Sequence, residues 1–283
     1  MTLPGSGAPA DPVRDYHALL ADAALAADSH AQLEAQMARR GLIFGDRPLC
    51  TVLRPRLLAP WQLRFLRRQT EALMRAFARA HEAAIARPDV RAQLRLADWE
   101  EAFAGVALPG VPSPTSRVDA FVSWHPEGED GAMWVTEFNA ETPAGAGYND
   151  ALVETFLDLP VMRAFTRRWA FLPVVARHGV SGALLDAWHA WSGGRTVPRI
   201  AILDWPDVPT RREFEMFEAH FAGLGIDCVI DDPRHAELRG DGLYVGGARV
   251  DLIYKRVLLS ELVEETGADS PIFRAVRERK VCM

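Results

Sequence analysis

A regular alternation of strand and helix patterns in the last third of the chain constrains the fold most. It indicates a mainly parallel sheet with helices on its faces. The predicted elements are strands at 199–203, 226–230 and 252–254, a helix at 210–223, a small hairpin at 243–250, and short helices at 258–265 and 272–278. Ligands of such sheets bind at the carboxyl ends of the strands. Asp204 and the pair Lys255 and Arg256 follow two of these ends.

The first hundred residues are predicted to be a helical layer. Apolar spacing indicates a long amphipathic helix at 61–86, which ends before Pro88. Upstream, the same spacing predicts two helices that separate near Asp28–Ser29, where an N-cap residue is available. A short apolar run at 49–53 predicts a strand.

Composition narrows the class of protein. The chain has 283 residues, 49% of them hydrophobic, and a formal net charge of -6, which indicates a folded protein that has no general affinity for nucleic acid or an anionic membrane. Its three cysteines, Cys50, Cys228 and Cys282, are far apart and match no disulfide or zinc pattern. Because no signal peptide or long apolar run is found, we expect a cytoplasmic protein without a membrane partner.

The sharpest local motif is Glu137-Phe138-Asn139 at the end of a predicted hairpin, whose strands cover 118–122 and 133–138. Strand alternation places the Glu137 carboxylate and the Asn139 carboxamide on the same face. Both are oxygen ligands that suit Mg²⁺ bound to substrate phosphates. A solvated strand face that ends in an Asx-turn is the alternative.

Charged residues on neighbouring strands could complete a pocket. Arg117 and Asp119 have same-face spacing, and antiparallel pairing would bring them beside Glu137 and Asn139. A carboxylate-plus-metal pocket is one interpretation, and a mutual ion pair of Arg117 and Asp119 is the other. Lys255–Arg256 could likewise bind an anion or simply end the sheet edge.

The loop at 139–147 is rich in small residues, and the backbone amide of Gly145 can approach an anion closely. Dinucleotide-binding, zincin and nucleophile-elbow patterns are incomplete in this sequence, and a Walker A sequence is absent. Hydrolase chemistry therefore has no support from the sequence.

Four segments together resemble the circularly permuted ATP-grasp proteins. This family includes eukaryotic-type glutathione synthetase and the glutathionylspermidine synthetase-like group. The resemblance extends from about residue 41 to the C-terminus. The segments are Arg117-Val-Asp119, Trp134 to Gly145, Ile200 to Trp205 and Val250 to Arg256.

The resemblance implies an ATP-dependent carboxylate–amine ligase, which forms an acyl-phosphate that an amine then attacks. Glu137 and Asn139 would bind Mg²⁺ at the phosphates of ATP. Arg117 and Arg256 would be the catalytic residues that bind the anionic ends of the acyl substrate. The residues implied to contact substrate are Asp119, Thr142, Gly145, Asp204 and Lys255. The small-molecule partners are a carboxylate and an amine.

The resemblance also implies an α/β (α+β) fold with four parts. They are a helical N-terminal region at 1–110, part of the permuted ATP-grasp sheet at 111–195, a Rossmann-like substrate domain at 196–257, and the start of a truncated C-terminal ATP-grasp portion at 258–283. The family continues beyond the position of Cys282 with lysines and acidic ligands, so we expect an incomplete ATP site. A homo-oligomer or a complementing C-terminal polypeptide is the expected protein partner. The alternative function is a non-catalytic anion-binding module that keeps the substrate pocket.

Overall fold

The computed structural model describes residues 11–104, 115–125, 129–194 and 196–283. The predicted boundary at 110/111 lies outside the described residues. The α-helices within these ranges are α1 (Pro12–Leu20), α2 (Ala23–Arg40), α3 (Pro60–Ala86), α4 (Pro88–Arg91), α5 (Asp98–Phe103), α6 (Ala146–Asp158), α7 (Pro160–Thr166), α8 (Arg177–Ser192), α9 (Arg211–Gly223), α10 (Leu259–Thr266) and α11 (Pro271–Arg277).

The strands form several small sheets. Those within the described ranges are β1 (Ile43–Phe44), β2 (Arg47–Pro48), β3 (Arg117–Trp124), β4 (Gly131–Asn139), β5 (Ile200–Leu203), β6 (Cys228–Asp231), β7 (Glu237–Arg239), β8 (Gly242–Val245), β9 (Ala248–Val250) and β10 (Leu252–Lys255). The mixture of helix and strand confirms the predicted α/β (α+β) class.

The chain divides into two compact units. One comprises Met1–Ala59 and Ala146–Ala176, and the other comprises Pro60–Gly145 and Arg177–Met283. The four-part division drawn from the sequence stays a prediction.

In the first unit, α1 and α2 pack on α7. Tyr16 is fully buried and meets Phe165 edge to face, with ring centroids 5.1 Å apart. The Tyr16 hydroxyl donates to the Leu53 carbonyl at 2.9 Å, so the tyrosine packs its ring without losing its hydrogen bond. Burial raises the pKa of Tyr16 strongly, and the nearby charge of Arg54 opposes that shift only in part.

Two predictions for this unit are wrong. The break between the first two helices falls at Asp22, whose carboxylate caps α2 by accepting from the Ala24 and Leu25 amides. Ser29 instead lies inside α2, where its hydroxyl donates to the Leu25 carbonyl and accepts from the Val161 amide.

The second wrong prediction is the strand at 49–53. This run is coil, because the neighbouring hairpin pairs β1 only with β2. Leu49 donates one backbone hydrogen bond to Leu42, after which no ladder continues.

In the second unit, the predicted hairpin is present as β3 and β4, paired antiparallel. One face of the hairpin packs on α3, where Phe138 stacks on Phe77 with ring centroids 4.2 Å apart. Trp124 contacts Trp61 edge to face. A side chain could not replace Gly131 here, because a Cβ would lie 2.5 Å from the Ser123 carbonyl oxygen. The hairpin end that carries the Glu-x-Asn motif is thus anchored to the longest helix.

The predicted parallel sheet is also present, in the order β10-β5-β6. The helix α9 connects β5 to β6, and the three-stranded meander β7-β8-β9 precedes β10. All four residues of β5 are buried, as expected for a central strand with covered faces. The carboxyl ends of the three strands therefore lie at one edge of this sheet.

The core of this unit lies among the parallel sheet, the meander and the last two helices. Its largest fully buried side chain is Phe273 of α11, which packs with residues of β5, β8 and β10. Cys282 extends the sheet by one parallel bridge to Leu252. Among the described residues, no helix combines the length and the apolar character that crossing a membrane requires.

Candidate functional site

The end of the β3–β4 hairpin brings four predicted site residues together. In the observed register, Arg117 lies opposite Asn139 and Asp119 lies opposite Glu137. This pairing is the one that the same-face spacing predicts. A register shift between Asp119 and Ala120 follows directly, so the alignment of the four residues ends there.

Arg117 forms a bidentate ion pair with Asp119. Its Nε donates to Asp119 Oδ1 at 2.7 Å and its Nη2 donates to Oδ2 at 3.0 Å. Its Nη1 donates to the Ala144 carbonyl at 3.0 Å. The hydrogen bond to Arg117 lowers the pKa of Asp119, and the same bond raises the pKa of Arg117, with smaller contributions from the charges of Glu137 and Glu213.

The mutual ion pair of Arg117 and Asp119, one of the two interpretations of the sequence, is therefore present. It does not use all the hydrogen-bond donors of Arg117. A guanidinium has more N–H donors than these three contacts use. The Arg117 side chain is 44% exposed. It is held in one orientation and still has donors that solvent or an anion can reach.

Glu137 and Asn139 differ in their surroundings. Glu137 is exposed, and among the described residues it forms no ion pair. Asn139 is half-buried, and its Nδ2 is a buried donor with no hydrogen-bond partner in the described part of the chain. Over the same ranges, no group of three or more His, Cys, Asp or Glu side chains is arranged to hold a metal ion.

The residues 141–145 that follow β4, here called the 141–145 segment, are fixed at both ends. At the start, Glu141 Oε1 accepts from Lys255 Nζ at 2.7 Å and from the Leu259 amide at 2.5 Å. At the end, the Gly145 amide donates to Glu213 Oε1 at 2.7 Å. Gly145 has φ of 119°, a conformation that glycine adopts most readily. Thr142 lies half-buried within this fixed segment.

Arg256 contacts the middle of the same segment. Its Nη1 donates to the Pro143 carbonyl at 2.7 Å and to the Tyr254 hydroxyl at 3.1 Å. Its Nη2 lies 3.4 Å from Glu213 Oε2. Arg256 is buried, so in this structure its charge is directed at the protein itself.

Lys255 and Asp204 lie at the carboxyl edge of the parallel sheet, as their positions after two strands predict. Burial lowers the pKa of Lys255, opposed by the hydrogen bond to Glu141. Burial raises the pKa of Asp204, opposed by the Trp205 amide and the charge of Arg256. Both groups are thus partly desolvated titratable groups near one sheet edge.

A cleft of about 520 Å³ opens at this edge beside Trp205. The Trp205 Nε1 donates to Glu261 at 3.0 Å, and the Arg234 guanidinium lies 5.3 Å from the centre of the Trp205 ring. Carboxylates outnumber cations in its lining, which comprises Trp205, Pro206, Asp207, Val208, Arg234, Glu261, Glu264 and Glu265.

Two residues of the site were missed in the sequence. The sequence could have indicated Glu213, because this carboxylate lies four residues before Phe217 and therefore on the apolar face of α9. Glu141 had none, because its partner Lys255 is 114 residues away.

No protein-family model matches the sequence, and no curated protein matches it. Among solved structures, the fold is similar to that of a glutathione synthetase-like effector from Globodera pallida, determined in the apo form. The TM-score is 0.55 at 11% sequence identity. The match covers 97% of this chain and 62% of that chain, so this chain spans under two thirds of the neighbour's length.

The class that the fold defines is thus a mixed α/β protein with a parallel sheet and a separate antiparallel hairpin. Within that class, the neighbour supports a glutathione synthetase-like fold.

Proposed function

We propose that the chain acts in an ATP-dependent carboxylate–amine ligase of the circularly permuted ATP-grasp type. Such an enzyme joins a carboxylate and an amine into an amide while ATP is cleaved to ADP and phosphate. The observation that carries the proposal is the hairpin end, where the exposed Arg117 lies beside Glu137 and Asn139. The glutathione synthetase-like fold supports it.

We assign the substrate carboxylate to Arg117. Its planar guanidinium suits bidentate carboxylate recognition, and its side chain is accessible. Asp119 and the Ala144 carbonyl hold the guanidinium in place before substrate arrives. A group that is already oriented loses less entropy on binding, which favours reaction at the bound carboxylate.

We assign Mg²⁺ to Glu137 and Asn139. Their oxygens fit an ion bound chiefly by ATP, because Mg²⁺ in nucleotide sites takes one or two protein ligands and completes its shell with phosphates and water. When bound, the ion would neutralise charge on the transferring phosphate. Glu137 is exposed and forms no ion pair in the described ranges, so its carboxylate is accessible to an ion.

The remaining residues would surround the substrates. Thr142 and Gly145 belong to the fixed segment next to Arg117, and Lys255 and Asp204 lie at the sheet edge nearby in the same unit. We assign Thr142, Lys255 and Asp204 to substrate contact, whereas the Gly145 amide already donates to Glu213.

The test is a calorimetric titration of the 283-residue protein with Mg²⁺ and AMPPNP, a non-hydrolysable ATP analogue. Because its ATP site is expected to be incomplete, we expect wild-type protein to bind weakly and Glu137→Gln to bind about tenfold or more weakly still. Asp130→Asn is the matched control, because it removes one charge from the same hairpin and preserves the acceptor for the Gly131 amide. Equal affinity in Glu137→Gln and wild type would exclude the metal-ligand role.

The second candidate function is the anion-binding module without catalysis. It is favoured by the donors that Arg117 keeps available, which need no nucleotide to bind a carboxylate. N-acetylglycine, a minimal carboxylate, separates the two functions. The ligase predicts that Mg²⁺–AMPPNP changes its affinity, whereas the binding module predicts that Arg117→Gln weakens its binding and the nucleotide has no effect.

A further inference from the structure

Among the described residues, the Glu213–Arg256 pair is the most completely buried ion pair near the candidate site. Glu213 lies in the first turn of α9 and Arg256 follows β10. Their side chains are only 1% and 3% exposed. A charge pair removed from water in this way is costly unless each partner has further hydrogen bonds.

One further hydrogen bond of each partner reaches the same short stretch of backbone. Arg256 Nη1 donates to the Pro143 carbonyl at 2.7 Å, and Glu213 Oε1 accepts from the Gly145 amide at 2.7 Å. Ala144 lies between these residues, and its carbonyl accepts from Arg117 Nη1 at 3.0 Å. Three consecutive residues therefore connect the buried pair to the exposed arginine.

The surroundings of Arg256 leave it little freedom to turn toward a ligand. Its guanidinium carbon lies 5.3 Å from the Phe214 ring centre and 5.4 Å from that of Tyr254. The Arg256 Nε is buried without a hydrogen-bond partner among the described residues. The unsatisfied Nε indicates that aromatic packing and the three Nη contacts, rather than full hydrogen bonding, fix this side chain.

We propose that Glu213 and Arg256 are positioning residues. Through the backbone of Pro143, Ala144 and Gly145, they orient the Arg117 guanidinium for anion binding. This inference rests on the proposed function of Arg117 as the carboxylate ligand. The family resemblance implies that Arg256 contacts the substrate directly. Under the present inference, Arg256 instead acts on Arg117 through the backbone. The pair holds the Ala144 carbonyl in place as the acceptor for Arg117 Nη1. The remaining N–H donors of Arg117 then stay available to an anion.

The test removes both charges together. In Glu213→Leu/Arg256→Met, no unpaired charge is left buried, so the protein is expected to fold with a melting temperature close to that of wild type. The Pro143 carbonyl and the Gly145 amide lose their partners. We therefore expect the Gly145 amide to exchange hydrogen about tenfold faster in NMR exchange experiments. The Ile202 amide, in the central strand β5, serves as the internal control and should remain protected.

The functional readout is the affinity for N-acetylglycine, measured by NMR titration of the Arg117 Nε–H signal. We expect about tenfold weaker binding in the double variant at a nearly unchanged melting temperature. A merely structural role for the pair would leave this affinity unaltered. The single variant Arg256→Lys keeps a buried cation beside Glu213 and should recover part of the lost affinity.

The outcomes separate this inference from the proposed function. Unchanged Gly145 exchange or unchanged N-acetylglycine affinity in the folded double variant would overturn the positioning role alone. Wild-type protein that fails to bind N-acetylglycine would overturn the proposed role of Arg117, and the positioning role with it.

Discussion

Two arginine–carboxylate pairs hold the 141–145 segment, and they differ in how much solvent reaches them. The Arg117 and Asp119 side chains are 44% and 37% exposed, whereas those of Arg256 and Glu213 are 3% and 1% exposed. The exposed pair has the shorter contact, 2.7 Å against 3.4 Å. Distance alone would rank the exposed pair as the stronger one, whereas burial ranks the pair of Glu213 and Arg256 first.

Burial explains the difference in role. In the exposed pair, water can replace either partner, so the pair contributes little to folding and its arginine can accept a ligand. In the buried pair, loss of one partner leaves an uncompensated charge in a medium of low dielectric constant. The same chemistry thus gives a ligand-binding group at the surface and a structural group in the interior.

The largest expected effect is on stability, from breaking the buried pair. Arg256→Met leaves Glu213 buried without its cation, and we expect the free energy of unfolding to fall by about 3–5 kcal/mol in urea denaturation. Arg117→Met, the same change in the exposed pair, should lower it several-fold less. Equal losses in the two variants would contradict the distinction drawn from burial.

The helix α9, which carries Glu213, provides a further control. Glu215, which pairs with Arg212, is 42% exposed. Glu215→Gln should therefore change the free energy of unfolding by less than about 1 kcal/mol.

A smaller effect is expected at Asp204, a buried carboxylate 8% exposed. Burial raises its pKa above the ordinary value of 3.8, so the folded state binds its proton more tightly than the unfolded state does. The contribution of Asp204 to wild-type stability therefore decreases as pH rises through the window between 3.8 and the raised value. We expect Asp204→Asn to be more stable than wild type at pH 7 and to lose that advantage at pH 3.

This prediction is checked by thermal unfolding of the two proteins across that pH range. The substitution keeps the acceptor for the Trp205 amide, which donates to Asp204 Oδ1 at 2.8 Å. A wild-type protein that is more stable than Asp204→Asn at pH 7 would show that the charge of Asp204 is stabilising there.

The smallest effect is expected at Asp119, the exposed carboxylate. Its pKa is lowered by the hydrogen bond to Arg117, so its contribution is present above the ordinary value of 3.8 and is lost as pH falls through the lower folded value. Asp119→Asn should therefore differ slightly from wild type at pH 7 and not at all in strong acid. Added salt should shrink the difference at neutral pH, because exposed charges are screened. A difference that persists in strong acid would mean that Asp119 acts through something other than its charge.

Much of the fold could be predicted because local patterns determine it. The apolar spacing at 61–86 gave α3, and the alternating pattern after residue 199 gave the parallel sheet. The predicted helix break at Asp28–Ser29 was wrong because Asp22 is the residue that caps α2. The predicted strand at 49–53 was wrong because, within the described ranges, the run has no strand to pair with.

The candidate site was predictable only along strands and across the β3–β4 hairpin. The spacing of Arg117, Asp119, Glu137 and Asn139 gave the hairpin end, because pairing across a short turn is nearly local. The contacts of Glu213 with Gly145, and of Lys255 with Glu141, join residues far apart in the chain. Such contacts depend on how α9 and β10 pack in three dimensions, which no local pattern encodes.

The contact between Lys255 and Glu141 has a practical consequence for chemical labelling. Lys255 and Lys280 are the two lysines of the sequence. Lys280 is 28% exposed and pairs with Glu278, whereas Lys255 is 13% exposed and donates to Glu141 and to the Val257 carbonyl. An amine-reactive ester should therefore acylate Lys280 first. Acylation of Lys255, detected by mass spectrometry, would report how often Glu141 separates from Lys255 at the end of β10.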